Sequence, residues 1–241
     1  MQGRLFILGL GPGDPELMTL KAARILREAR HVAFFAKAGR MGHARGIVAD
    51  LLSPTAEELR FEYPFTTEVA LEHPSYAARM GEFYARCAAT LATRMDAGQN
   101  IALLCEGDAF LYGSAMYLFD RLRDEYTVEI IPGVAGMSGC WSRAQTPIAH
   151  GDDVLSVLPG TLDAASLLAR LQRCDAAVIM KIGRNLPKIR AVLEQAGLLS
   201  RAVYVERGSM EGERIMPLAA LADASAPYFA MVLVPGRQHN R

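Results

Sequence analysis

Three glycine-rich segments each stand at the end of an apolar run. Gly9-Leu10-Gly11-Pro12-Gly13-Asp14 closes the run that begins at Leu5. Glu106-Gly107-Asp108-Ala109-Phe110-Leu111-Tyr112-Gly113 follows Ile101 to Cys105, and Ile131-Pro132-Gly133-Val134-Ala135-Gly136 follows Val128 to Ile131. Glycine lets a backbone bend sharply and approach a ligand closely. In open α/β sheets, ligands gather beyond the carboxyl ends of the strands. The first loop has the outline of a dinucleotide fingerprint, but Asp14 occupies the place of its third glycine. A carboxylate at that helix start repels a pyrophosphate. The second strand ends in Ala36-Lys37, with no acid for a ribose hydroxyl. Nicotinamide oxidoreduction is therefore disfavoured, and a tight βα turn without a ligand is the plain alternative. Asp108 suits a ligand ammonium or hydroxyl, or else caps the turn that follows it.

The other reactive side chains are sparse. His31, His43, His73, His150 and His239 share no ligand spacing with one another or with cysteine, so no metal site is expected. Cys87, Cys105, Cys140 and Cys174 form no Cys-x-x-Cys pair and read as apolar thiols in a reducing cytoplasm. Lys37, Arg40 and Arg45 cluster on one glycine-rich stretch, residues 37–47, read as a loop. They would meet an anionic ligand or lie in a solvated basic loop. Arg184 and Lys188 are weaker candidates.

The elements that must position these residues follow an α/β pattern of apolar runs alternating with amphipathic segments. Strands are predicted at Leu5–Leu10, His31–Ala36, Ile101–Cys105, Val128–Ile131, Val154–Leu158, Ala176–Lys181, Ala202–Glu206, Glu213–Pro217 and Tyr228–Val234. A helix carrying Leu17, Leu20 and Ile25 starts at Asp14 as N-cap, with Pro15 in its first turn. The spacing predicts a long helix over 75–97, with Met80, Phe83, Tyr84, Cys87 and Leu91 on its core face and Gly98 as its stop. Further helices start near Ser114, span 134–144, follow a cap at Asp163, and run over 186–196 to Gly197. The pattern restarts near residue 118, so two domains are expected, 1–117 and 118–241. The 241 residues carry 26 basic and 26 acidic side chains, and 51% are apolar. A large core follows, and neutrality disfavours a nucleic-acid partner. No apolar run reaches the roughly 18 residues that span a bilayer.

Gly9-x-Gly-Pro-Gly-Asp-Pro-Glu-Leu-Met-Thr-Leu-Lys21, Cys105-Glu-Gly-Asp-x-Phe-x-Tyr-Gly113 and Ile131-Pro-Gly-Val134, in that order, resemble the tetrapyrrole (corrin/porphyrin) methylase family. Gly46-Ile-Val-Ala-Asp50, Tyr63-Pro-Phe-Thr-Thr67, Leu158-Pro-Gly-Thr161, Ile179-Met-Lys-Ile-Gly-Arg-Asn-Leu-Pro-Lys188 and Val203-Tyr-Val-Glu-Arg207 resemble its branch that methylates carbon 20 of precorrin-2 on the cobalamin pathway. The resemblance implies two α/β domains with the active-site cleft between them, in a cytoplasmic homodimer. The amino-terminal domain takes the tetrapyrrole side and the carboxy-terminal domain the S-adenosylmethionine side. By position, Glu106, Gly107, Asp108, Ala109, Ala135, Gly136, Met180 and Lys181 would contact S-adenosylmethionine, with Glu206 and Pro227-Tyr228-Phe229-Ala230 completing the adenosine pocket. Gly11, Pro12, Gly13 and Asp14 would face the tetrapyrrole. Two departures stand out. Gly107-Asp108-Ala109 replaces the family's Gly-Asp-Pro and loosens the turn. Val134-Ala135-Gly136 replaces a run with Ser or Thr and removes one hydroxyl contact.

The implied substrate is a flat polyanion, which suits Lys37, Arg40 and Arg45. A base for the proton lost after methylation would come from Glu106, Asp108, Tyr112 or His43, in no secure order. Alternatives are the cobalt-containing form of the substrate, other acceptors of the same fold, a nicotinamide oxidoreductase, and a non-catalytic tetrapyrrole carrier.

Overall fold

The computed structural model describes residues 1–65 and 74–236; Thr66, Thr67, His73 and His239 of the sequence analysis lie outside them. The chain divides into two compact units, Met1–Ala135 and Gly136–Arg241.

The first unit runs β1 (Leu5–Gly9), α1 (Leu20–Glu28), β2 (His31–Ala36), α2 (His43–Ile47), β3 (Glu57–Glu62), α3 (Pro74–Asp96), β4 (Ile101–Cys105), α4 (Ala115–Leu122) and β5 (Val128–Ile131). Its five strands form one sheet in the order β3-β2-β4-β1-β5, with every pairing parallel. Parallel strands need crossovers, and the helices supply them on both faces. Alternate residues of each strand enter opposite cores. Leu5, Ile7, Ile101 and Leu103 pack with α3 and α4, while Leu8, Ala102 and Leu104 pack with α1 and Val48. The predicted face of α3 is buried throughout: Met80, Phe83, Tyr84, Cys87 and Leu91.

Sequence and structure differ at four places here. The contact boundary falls after Ala135 rather than 117, because α4 packs on α3 and β5 pairs with β1. The helix expected from Asp14 is interrupted: Asp14 caps a single 3-10 turn, Pro15–Leu17, and Thr19 then caps α1. The restart leaves Leu17 and Leu20 exposed, and Ala22, Ile25 and Leu26 form the core face. Within the predicted loop 37–47 lies the short α2. The strand β3, Glu-Glu-Leu-Arg-Phe-Glu, was not expected; it is an edge strand whose charges face solvent.

The second unit runs α5 (Gly136–Arg143), β6 (Leu155–Pro159), α6 (Ala164–Leu171), β7 (Ala176–Met180), α7 (Leu186–Gln195), β8 (Val203–Glu206), β9 (Arg214–Pro217) and β10 (Ala230–Val234). Its sheet order is β6-β7-β10-β8-β9, with β6 and β7 parallel and the other pairs antiparallel. Helices α6 and α7 cover one face, and α5 covers the other through Cys140 against Val178, Val205 and Leu233. Asp163 caps α6 as expected, accepting from the Ser166 N–H at 2.9 Å. Among the described residues, no helix is long and apolar enough to cross a membrane.

Candidate functional site

In the first unit the chain leaves β1 over the face packed by α1, whereas it leaves the neighbouring β4 over the face packed by α4. Opposite departures from adjacent strands open a crevice at their carboxyl ends, the usual place for a ligand in such sheets. All three glycine-rich loops meet there. Gly11 and Gly107 exchange backbone hydrogen bonds of 3.2 and 2.7 Å, and Leu10 N–H donates to the Cys105 carbonyl at 2.9 Å. A Cβ on Gly133 would lie 2.2 Å from the Gly107 oxygen, and one on Gly9 would lie 2.5 Å from the Gly133 nitrogen. Only glycine permits this approach.

Asp108 fastens the arrangement. Its Oδ1 accepts from Phe110 N–H at 2.9 Å and its Oδ2 from Gly133 N–H at 3.1 Å. The turn it organises leaves Phe110 and Tyr112 exposed, and holds Tyr112 at φ 58°. A positive φ is a strained state for a bulky side chain. Ala109, in place of the family's proline, is fully buried. Gly11 and Pro12 are buried, and Asp14 Oδ1 accepts from Glu16 N–H at 2.9 Å.

Glu106 joins this crevice to the basic segment: its Oε1 accepts from Ala44 N–H, in the first turn of α2, at 3.0 Å. His43, the first residue of α2, is exposed, as are Lys37 and Arg40. Arg45 is occupied differently, with Nε and Nη2 each donating to Glu58 at 2.8 Å on a largely covered side chain. Cys105, immediately before Glu106, has its thiol pushed up by burial and by the flanking Glu106 and Asp108 carboxylates. Burial likewise pushes Cys87 and Cys140 up to about 12. These thiols stay protonated and offer no nucleophile.

The second unit gathers its own candidates at one sheet end. Because β10 is antiparallel to β7 and β8, its start lies beside their ends, and Ala230 pairs with Glu206. Arg207 N–H donates to the Phe229 carbonyl at 2.7 Å, and Ala226 N–H to the Gly183 carbonyl at 3.1 Å. Met180, Lys181, Glu206 and the segment Pro227–Ala230 are thus brought together. Lys181 is at φ 55° and exposed; Tyr228 is exposed and meets Phe229 edge-on at 4.9 Å. Glu206 Oε2 accepts from the buried Tyr204 hydroxyl at 2.8 Å, and burial, then that carboxylate, push the phenol up. Ala135 ends the first unit and Gly136 begins α5. Arg184 is exposed, and Lys188 donates to the Leu162 carbonyl and to Asn185.

Sequence reasoning passed over Ser209. Its Oγ is buried without a hydrogen-bond partner among the described residues, at φ 67° in the loop after β8. The flanking Gly208 and Gly212 were the available signal. An unsatisfied buried hydroxyl is a cost carried by this loop.

Chemically, the two sheet ends offer backbone-lined glycine loops, carboxylates already engaged and, among the described residues, no activated nucleophile. That suits the orientation of a reactive ligand better than covalent catalysis. A protein from Sinorhizobium sp. named precorrin-2 C(20)-methyltransferase is 52% identical over 97% of this chain and 96% of its own. Cobalt-precorrin-2 C(20)-methyltransferase of Salmonella typhimurium is 31% identical over 97% of each. The crystal structure of uroporphyrin-III C-methyl transferase from Thermus thermophilus, complexed with S-adenyl homocysteine, superposes with a TM-score of 0.68 at 24% identity, covering 97% of this chain and 92% of that one. Residues 4–222 match the family described as Tetrapyrrole (Corrin/Porphyrin) Methylases. With its paired α/β units and interlocked glycine loops, the chain belongs to the tetrapyrrole (corrin/porphyrin) methylases.

Proposed function

We propose that the protein transfers the methyl group of S-adenosylmethionine to carbon 20 of precorrin-2, giving precorrin-3A in cobalamin biosynthesis. The observation that carries this reading is the 52% identity, over nearly the whole of both chains, to a precorrin-2 C(20)-methyltransferase. The convergence of loops 9–14, 106–113 and 131–135 at the carboxyl ends of β1, β4 and β5 supports it.

S-Adenosylmethionine, when bound, supplies a methyl already activated on a sulfonium. The reduced tetrapyrrole brings its own electron-rich meso carbon. The chain therefore has to bind, orient and exclude water, and such positioning is worth roughly 7–11 kcal/mol of barrier. For the cofactor the first unit offers the backbone of Glu106–Ala109 and Ala135, and the second unit offers Gly136, Met180, Lys181, Glu206 and Pro227–Ala230. Gly11–Asp14 with Lys37 and Arg40 receives the macrocycle and its carboxylates. Asp108 spends both oxygens on backbone N–H groups and sets the turn. The proton lost from carbon 20 passes to Glu106, His43 or Tyr112. The working form is a cytoplasmic homodimer, with the first unit on the tetrapyrrole side.

The 31% identity to the cobalt-precorrin-2 enzyme supports a second reading, in which the substrate carries cobalt. The test is incubation with precorrin-2 and methyl-labelled S-adenosylmethionine, followed by NMR. Label on carbon 20 is expected. Label elsewhere, or turnover only with cobalt-loaded substrate, would replace this reading.

A further inference from the structure

Ser114 stands at the N-cap of α4, where a serine hydroxyl ordinarily accepts a backbone N–H of the first helical turn. Here it makes no such bond, and its backbone is already helical at φ −65°, ψ −21°. The hydroxyl is turned instead toward two phenols, accepting from Tyr63 Oη at 2.7 Å and Tyr84 Oη at 3.2 Å. Both phenols are fixed by aromatic packing. Tyr63 stacks on Phe35 at 5.3 Å, and Tyr84 stacks on Tyr117 at 4.5 Å. Burial pushes the Tyr84 phenol up to about 12, so it remains a proton donor.

This clasp closes the turn that Asp108 opens. Asp108 pins the front through Phe110 N–H and Gly133 N–H, and Ser114 pins the rear two residues after the strained Tyr112. Between them Gly113 packs so closely that a Cβ there would lie 2.5 Å from the Ala109 carbonyl oxygen. A turn holding a bulky residue at positive φ persists only when its surroundings over-determine it. The clasp provides that constraint from α3 and from the chain that leaves β3.

We propose that Ser114 is a positioning residue for methyl transfer: gripped by Tyr63 and Tyr84, it fixes the 108–113 turn in its reactive placement. The proposal rests on the function proposed above. Because Ser114 does not cap α4, its role separates from helix stability. Ser114→Ala, Tyr84→Phe, the double variant and Ser114→Thr are assayed with precorrin-2 and labelled S-adenosylmethionine. Ser114→Ala lowers kcat by about ten- to a hundredfold, the scale of a small misplacement at a reacting centre. KM for the tetrapyrrole and the Kd for S-adenosylhomocysteine move by less than about threefold, as for an interaction that matters only in the transition state. Tyr84→Phe gives part of the same loss, the double variant is no slower than Ser114→Ala, and Ser114→Thr recovers kcat. Unchanged kcat in folded Ser114→Ala, whatever its melting temperature, overturns the proposal, as do losses that multiply in the double variant or a folded Ser114→Thr without recovery. Wild-type protein that turns over no reduced tetrapyrrole overturns the function itself and this inference with it.

Discussion

At Asp108, one side chain does the work of a covalent tie. Its two oxygens hold Phe110 N–H and Gly133 N–H, and so bind the second glycine loop to the third. Hydrogen bonds from backbone N–H groups to a carboxylate are worth roughly 1.5–3 kcal/mol each when covered, and less with water nearby. Asp108 is partly covered, so Asp108→Ala should cost about 2 kcal/mol in urea denaturation and also weaken S-adenosylhomocysteine binding. Asp108→Asn, which keeps one acceptor, should lose about half as much stability. If Asp108 served only as a cofactor ligand, affinity would fall with the denaturation midpoint unmoved. The Gly-Asp pair was legible in the sequence because its position after a buried strand is informative. Its partner was not legible, since nothing in the residue type distinguishes a carboxylate turned toward Gly133 from one turned toward a ligand.

Among the elements, the strands were the most legible, because each pairs a short apolar run with a glycine or proline stop. Residues His31–Ala36, Ile101–Cys105 and Val128–Ile131 are strands with the predicted bounds. The strand β3 escaped notice because edge position reverses the usual signal. It carries exposed charges on both faces, Glu58, Arg60 and Glu62 on one and Glu57 on the other, which blunt the edge and engage ion pairs: Glu57 with Arg94, Glu58 with Arg45, and Glu62 with Arg60. The same charges explain why the basic segment was only half readable. Its cations were visible, but the glutamate that occupies Arg45 lies on an element the sequence did not reveal. The two arginines should therefore separate. Arg40→Ala is expected to raise the tetrapyrrole KM about fivefold or more, the loss of about 1 kcal/mol of a charge-assisted contact. Arg45→Ala should leave KM within about twofold and lower stability by roughly 0.2–1 kcal/mol, the range for a partly exposed ion pair. A larger KM effect from Arg45→Ala would return it to the substrate surface.

Taken as a whole, the molecule joins an all-parallel sheet to a mostly antiparallel one, and each places its candidate residues at a single sheet end. The second strand of the parallel sheet ends in Ala36-Lys37 without an acid for a nicotinamide ribose, and Asp14 sets a carboxylate in the first glycine loop, where it caps the 3-10 turn Pro15–Leu17. Ligand choice is therefore a property of the assembled chain that a melting curve can read. A ligand that binds only the folded state stabilises it by about 2.7 kcal/mol at a hundred times its Kd. For a chain of this size, 1 kcal/mol moves the midpoint by roughly 2–4 °C. S-Adenosylhomocysteine at that excess should raise the melting temperature by about 5–10 °C, and NADH at the same concentration should leave it unchanged. A rise with NADH and none with S-adenosylhomocysteine would reverse the assignment of the glycine loops. Equal rises with both would mean that the Asp14 carboxylate in the glycine loop does not exclude a pyrophosphate.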